Sequence, residues 1–259
     1  MFRDNFLENV LNWENIRNSP RIKNISILSL STNTGNAISG LFWLYLAGLM
    51  GEESYGELGY LIAIAGITSN VVLIGGVWTM TVYTAKKVDV QPVLYLISII
   101  SSGISALILY FLFQNAGLSI FVIGFVIFNL TLAEVNGRKL YTDYSKFFIL
   151  QKIFFVLISL GLFQFIGPEG ILIGYGLSYI PFFKRMYISL RTNNFNFKFL
   201  KEKSGFIANN YSLDMISTVG GSIDKLMIVP LFGFGLLGNY YLGLQVVSML
   251  GIIPGVIFT

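Results

Sequence analysis

Residues 44–62 read LYLAGLMGEESYGELGYLI, and residues 226–244 read LMIVPLFGFGLLGNYYLGL. Overlaid at an offset of 182 positions, they place Leu44 on Leu226, Leu49 on Leu231, Gly51 on Gly233 and Gly56 on Gly238. In each stretch one glycine closes an apolar run and a second, five residues on, opens the next. Glycine suits a tight reversal, because it adopts a positive φ without steric penalty. The pattern predicts two helical hairpins built the same way, far apart in one chain.

Outward from these turns, the apolar runs are about twenty residues long, enough to cross a hydrocarbon core of roughly 30 Å. They fall at about Ile25–Met50, Gly56–Thr84, Pro92–Phe113, Leu118–Val135, Phe147–Ile166, Gly170–Phe183 and Gly205–Leu231, with an eighth from Leu237 to the chain end. The sixth is short as written, and it is expected to continue through Tyr187 with Lys184 and Arg185 snorkelling. Hydrophobic residues make up 54% of the 259 and charged residues only 12%, half the charge of an ordinary soluble domain, about 25%. The chain is therefore expected to be an all-α integral membrane protein. A membrane barrel would instead alternate in polarity over segments of about ten residues.

Cysteine and histidine are both absent. Disulfides, thiolate nucleophiles, histidine metal sites and histidine acid–base chemistry are excluded with them. No GxSxG elbow, P-loop or acidic metal loop is present, so no catalytic residue, cofactor or metal is expected. An enzyme is not expected, and ATP hydrolysis is excluded, which leaves an ion gradient, a partner or the substrate gradient as the energy source for any transport.

The net charge of +4 is not a nucleic-acid signature, because its placement follows the loops. Sixteen of the seventeen Lys and Arg residues lie before the first run or in alternate connections, around Lys86-Lys87, Arg138-Lys139 and Lys184–Lys203. The intervening connections carry none. The positive-inside rule then sets the N-terminus in the cytoplasm of a multi-pass protein of the cell membrane. Phe2, Phe6, Val10 and Trp13 repeat at helical spacing, so residues 1–20 are expected to form an amphipathic helix on the membrane surface.

Six runs separate the two matched stretches, so both halves have the same orientation, a parallel repeat. The expected organisation is a first six-helix lobe over 21–190, a cytoplasmic basic loop over 191–204, and the start of a second lobe over 205–259. The counterpart of Lys86-Lys87 would fall near position 268, past Thr259, and a fragment of a longer, two-lobed protein is expected.

The stretches Leu46–Gly66, LAGLMGEESYGELGYLIAIAG, and Ser222–Val247, SIDKLMIVPLFGFGLLGNYYLGLQVV, resemble the polysaccharide transport family of the multidrug/oligosaccharidyl-lipid/polysaccharide exporter superfamily, which includes O-antigen flippases. That family shows a Gly-acidic-acidic-aromatic-Gly turn between apolar helices, repeated after six spans with Asp-Lys ahead of it. The resemblance implies two six-helix lobes facing a central cavity. It implies alternating access that flips a polyprenyl-diphosphate-linked oligosaccharide among membrane lipids. On that pattern the second lobe is expected to be truncated here, and the first lacks Lys or Arg well inside its spans. An ion-coupled multidrug antiporter of the same superfamily is the alternative. A membrane glycan polymerase or glycosyltransferase fits less well, because its large outer loop is missing.

Ionisable residues inside a span usually face protein or water. On an unbroken seventh helix, Asp214 and Lys225 would lie about 20° apart around the axis and roughly 16 Å along it. Asn210, Asp214, Ser217, Gly221 and Lys225 would then form one polar stripe lining the cavity, with Lys225 drawing the diphosphate. Asp224, also a cavity candidate, is adjacent to Lys225 and would point about 100° away, so the two are not expected to pair. In the repeat-equivalent first helix, Asn33, Asn36 and Trp43 are candidates for the opposite wall, against a reading as interhelical packing. Asp214 and Glu134 are candidates for a coupling proton or sodium ion, although Glu134 lies close enough to Arg138 simply to pair with it. Gly75-Gly76, Gly220-Gly221, Pro230 and Pro254-Gly255 are candidate bends.

Overall fold

The computed structural model describes residues 20–192 and 195–250. The amphipathic helix expected before residue 20 and the Pro254-Gly255 bend lie outside the described residues. The described chain is all-helical. Helices α1 (Pro20–Leu73), α2 (Gly76–Ala85), α3 (Gln91–Phe113), α4 (Ala116–Gly137) and α5 (Tyr141–Ile166) are followed by α6 (Glu169–Leu177). A 3-10 turn at Ile180–Phe182 leads into α7 (Phe183–Thr192), then α8 (Lys198–Glu202), α9 (Ser204–Gly220) and α10 (Ile223–Leu250). Five helical stretches are long and apolar enough to cross a membrane: Lys23–Leu73, Gln91–Phe113, Ala116–Gly137, Tyr141–Ile166 and Ser204–Met249.

The first and last of these are folded back on themselves. In α1 the backbone leaves the helical region at Gly51, with φ 74° and ψ 165°. In α10 it does the same at Gly233, with φ 82° and ψ 177°. Trp43 and Tyr55 would be about 18 Å apart along a straight helix, yet their ring centroids are 6.5 Å apart. Likewise Tyr240 donates a hydrogen bond to Asp224, a pair that a straight helix would separate by about 24 Å. Both glycine turns are therefore reversals, and 182 positions apart they have the same backbone conformation.

Two of the expected spans are interrupted and a third is rebuilt. The second breaks at Ile74 and Gly75, with φ 48° and 66°, between α1 and α2. Ser101 Oγ donates to the freed Val72 carbonyl at 3.0 Å, and Thr79 Oγ1 donates to Gly75 O at 2.8 Å. The seventh breaks at Gly221-Ser222, between α9 and α10, and α10 holds Pro230 inside its first arm. The sixth runs on past Phe183 as expected, but through the 3-10 turn at Pro181 and not as one helix.

The distribution of side chains is that of a protein in lipid. Along α3, Ile100, Ile104, Leu107, Ile108 and Phe111 are exposed at helical spacing, as are Leu157 and Phe165 of α5. The interior is mostly apolar but also holds Ser69, Ser98, Thr131, Gln151, Ser159 and Ser178. Gln151 Nε2 donates to Ser178 Oγ at 3.0 Å and Ser159 Oγ to the Ile171 carbonyl at 3.1 Å. Such pairs satisfy groups that lipid cannot.

Contacts define two ends of the bundle. At the basic end, Arg138 and Arg185 both reach Glu134, and Phe199 and Phe206 pack edge-on against Tyr83. At the opposite end the two glycine turns meet.

Candidate functional site

The junction of the two hairpins is reciprocal. A Cβ on Gly56 would strike the backbone carbonyl of Phe234 and come within 2.8 Å of Gly238 N. A Cβ on Gly238 would strike the backbone carbonyl of Glu52. Glu52 and Phe234 are themselves 182 positions apart, as are Gly56 and Gly238, so each hairpin presents the same surface to the other. That is the signature of an approximate two-fold axis, in which residue i meets j and the counterpart of i meets the counterpart of j. Side chains close the contact around it. Asn239 Nδ2 donates to Glu52 Oε2 at 2.7 Å, and Tyr241 faces Gly59, where a Cβ would come within 3.3 Å of its ring. Its ring also lies 5.6 Å from that of Tyr55 and 6.2 Å from that of Trp43.

Towards the basic end, the broken second span faces α9. A Cβ on Gly75 would lie 2.7 Å from the Ile207 carbonyl, so backbone meets backbone where α1 gives way to α2. Three residues on, Trp78 Nε1 donates to Asp214 Oδ1 at 3.2 Å, and Trp78 is 53% exposed. Asp214 is half-buried, and among the described residues no cation reaches it. A carboxylate within a span, held by one indole N–H, keeps acceptor capacity for a proton, a cation or a ligand hydroxyl.

A second polar cluster sits at the start of α10. Lys225 Nζ lies 3.3 Å from Asp224 Oδ1 and donates to the Gly221 carbonyl at 2.8 Å. Tyr240 completes the cluster from the far arm of α10. The expectation that Asp224 and Lys225 do not pair is thus wrong. It assumed an unbroken helix, but α10 begins at Ile223, leaving Gly221 O free to draw the ammonium back over the first turn. Asp224 Oδ1 meanwhile accepts from the Lys225 backbone N–H at 2.9 Å. The Lys225 side chain is only 13% exposed.

The single polar stripe accordingly becomes two clusters. Asn210 is half-buried and donates to Phe206 O of its own helix at 2.8 Å, and Ser217 is exposed. Across the molecule, Asn33 is half-buried with Nδ2 3.5 Å from Ser29 Oγ, and Asn36 is exposed. Trp43 is buried among Phe42, Tyr55, Phe155 and Tyr241, a packing position. Glu134 is 3% exposed. Its carboxylate is held by Arg138 Nε at 2.9 Å, Arg185 Nε at 3.4 Å and the Tyr95 hydroxyl at 3.0 Å, the pairing its position near Arg138 suggested.

Trp78 and Tyr240 were not singled out by sequence, and Arg185 was expected only to snorkel, not to reach Glu134. Trp78 follows a Gly-Gly bend, the one signal available. Tyr240 reaches Asp224 only because Gly233 reverses the chain, a relation that helical periodicity hides.

The chain matches no protein-family model, no curated protein and no solved structure. Its function is therefore read from its own residues.

Proposed function

We propose that the protein is a membrane transporter that moves a lipid-linked oligosaccharide across the cell membrane by alternating access between two lobes. The observation that carries this reading is the reciprocal contact of Gly56 with Phe234 and of Gly238 with Glu52. Two hairpins meeting about an approximate two-fold axis, with equal orientation in the chain, fit parallel repeats that rock against each other around a shared path. Their contact closes one end, and the interrupted helices lie between it and the basic end. Interrupted helices are where transporters gather backbone and polar groups around cargo.

The chemistry along that path suits a hydroxyl-rich, anionic ligand. Trp78 offers an aromatic face beside the Asp214 acceptor, Asn210 an amide, and Lys225 a point charge that tolerates misalignment with a diphosphate. To take up that diphosphate, Lys225 would exchange Asp224 and Gly221 O for it. Asp214, without a cation partner, is the group proposed to carry a coupling proton or sodium ion. On the positive-inside rule the basic end lies in the cytoplasm.

The test uses cells that depend on this protein for export of their glycan. Lys225→Ala should abolish export at unchanged protein abundance, and Lys225→Arg should restore part of it. Normal export by Lys225→Met at normal abundance contradicts the diphosphate role.

A further inference from the structure

At the basic end, a cavity of about 530 Å³ opens between the last turns of α2 and α4, a size typical of small-ligand pockets. Thr84, Lys87, Asp89, Gln91, Arg138 and Lys139 supply its polar wall, and Leu140 its apolar edge. From these groups we infer a binding site for the headgroup of an anionic, hydroxyl-bearing phospholipid, separate from the transport path.

The two helix ends are built alike. Lys87 N–H bonds to Thr84 O and Val88 N–H to Tyr83 O, while Lys139 N–H bonds to Asn136 O and Leu140 N–H to Val135 O. Lys87 and Lys139 therefore hold the same position after their helices, at φ 59° and 60°. Glycine or asparagine ordinarily fills that left-handed position, and the chain places a lysine there twice on the wall of one cavity. The capping bonds occupy carbonyls that would otherwise repel an anion.

Charge and polarity select the ligand. Arg138 is engaged by Glu134, whereas among the described residues Lys87 and Lys139 pair with no carboxylate. Two uncommitted ammonium groups against one carboxylate, Asp89, favour a phosphate ester. Gln91 is 3% exposed and its Nε2 donates to Thr84 Oγ1 at 3.2 Å, while its amide oxygen is buried without a partner. A ligand hydroxyl supplies the missing donor, which distinguishes a glycerol headgroup from a bare phosphate. Leu140 is 40% exposed at the rim, where an acyl chain would lie. Basic pockets between membrane helices recognise lipid headgroups by this combination.

The full chain is reconstituted in phosphatidylcholine nanodiscs containing phosphatidylglycerol, and retained lipid is counted by native mass spectrometry. Lys87→Gly/Lys139→Gly removes both charges with a residue that suits the left-handed backbone, so the variant folds. It should bind phosphatidylglycerol at least tenfold more weakly, while Lys198→Ala/Lys201→Ala, with the same loss of charge, should retain it. Equal retention by the glycine variant overturns the site. If soluble glycerol phosphate or inorganic phosphate displaces the lipid at millimolar concentration, the lipid assignment is overturned.

Discussion

Gly56 and Gly238 each pack against the backbone of the other's helix, and neither position has room for a Cβ. The obstacle in both cases is a main-chain carbonyl, which cannot rotate away as a side chain can. Gly56→Ala and Gly238→Ala should therefore each destabilise the protein by about 1–3 kcal/mol, the range for overpacking, and by similar amounts. Gly48 and Gly66 meet nothing within 4 Å, and their Ala variants should keep the wild-type melting temperature or exceed it. Thermal melts in detergent make the comparison.

Gly51 tests conformation without packing, since a Cβ there also meets nothing within 4 Å but φ is 74°. Gly51→Ala should lose about 1–3 kcal/mol through the backbone alone, because positive φ with ψ 165° is essentially a glycine conformation. Gly233, at φ 82°, should respond equally. A neutral melt for both would mean that the turns relax, against the finding that the two reversals share one backbone conformation.

Much of the architecture was legible in the sequence, because it rests on signals that act locally. Length and apolarity marked the crossing helices, and the glycines at 51, 56, 233 and 238 marked both reversals and their equivalence. What stayed hidden depends on tertiary contact. The glycines at 220 and 221 marked a candidate bend, but periodicity assumes a continuous helix, so the expected stripe ran through the break at Gly221-Ser222 that divides Asp214 from Lys225. Nor could periodicity show Asp224 meeting Lys225 and, across the Gly233 reversal, Tyr240. Trp78 joins Asp214 from 136 positions away, a distance over which no pattern in one sequence speaks.

Glu134 separates a structural carboxylate from an ion-coupling one. Its carboxylate is enclosed by Arg138, Arg185 and Tyr95, so Glu134→Ala leaves two guanidinium groups without their partner. The side chains of Arg138 and Arg185 are 44% and 26% exposed, so solvent takes up part of the loss; a cost of about 1–3 kcal/mol and a fall in folded protein in the membrane are expected. Tyr95→Phe, which removes one hydrogen bond, should cost about 1–3 kcal/mol because that bond is to a charged group. Size-exclusion profiles and membrane abundance report both.

The Trp78–Asp214 contact should couple the two residues energetically. In a double-mutant cycle with Trp78→Phe and Asp214→Asn, an interaction of about 0.5–1.5 kcal/mol is expected for one partly exposed hydrogen bond. If Asp214 carries the coupling ion, transport by Asp214→Asn should also lose its dependence on pH or sodium. A transport defect that keeps the wild-type ion dependence would assign Asp214 to cargo alone.

Orientation is accessible because the chain has no native cysteine. Single cysteines at Glu53, Asn115 and Gly235 should react with an impermeant maleimide in intact cells. Those at Val88, Asp143 and Lys201 should react only after permeabilisation. The opposite labelling would invert the protein in the membrane and place the basic end outside.

The sidedness of lipid-linked glycan in cells depleted of this protein tests lipid-linked oligosaccharide transport most directly. Inner- and outer-leaflet pools of polyprenyl-diphosphate oligosaccharide are measured by accessibility to an impermeant sugar-modifying reagent before and after membrane disruption. Depletion should raise the inaccessible pool several-fold while the surface polymer disappears, and restoring the wild-type chain should reverse both. Unchanged pools and unchanged surface glycan after complete depletion would contradict a lipid-linked oligosaccharide transporter.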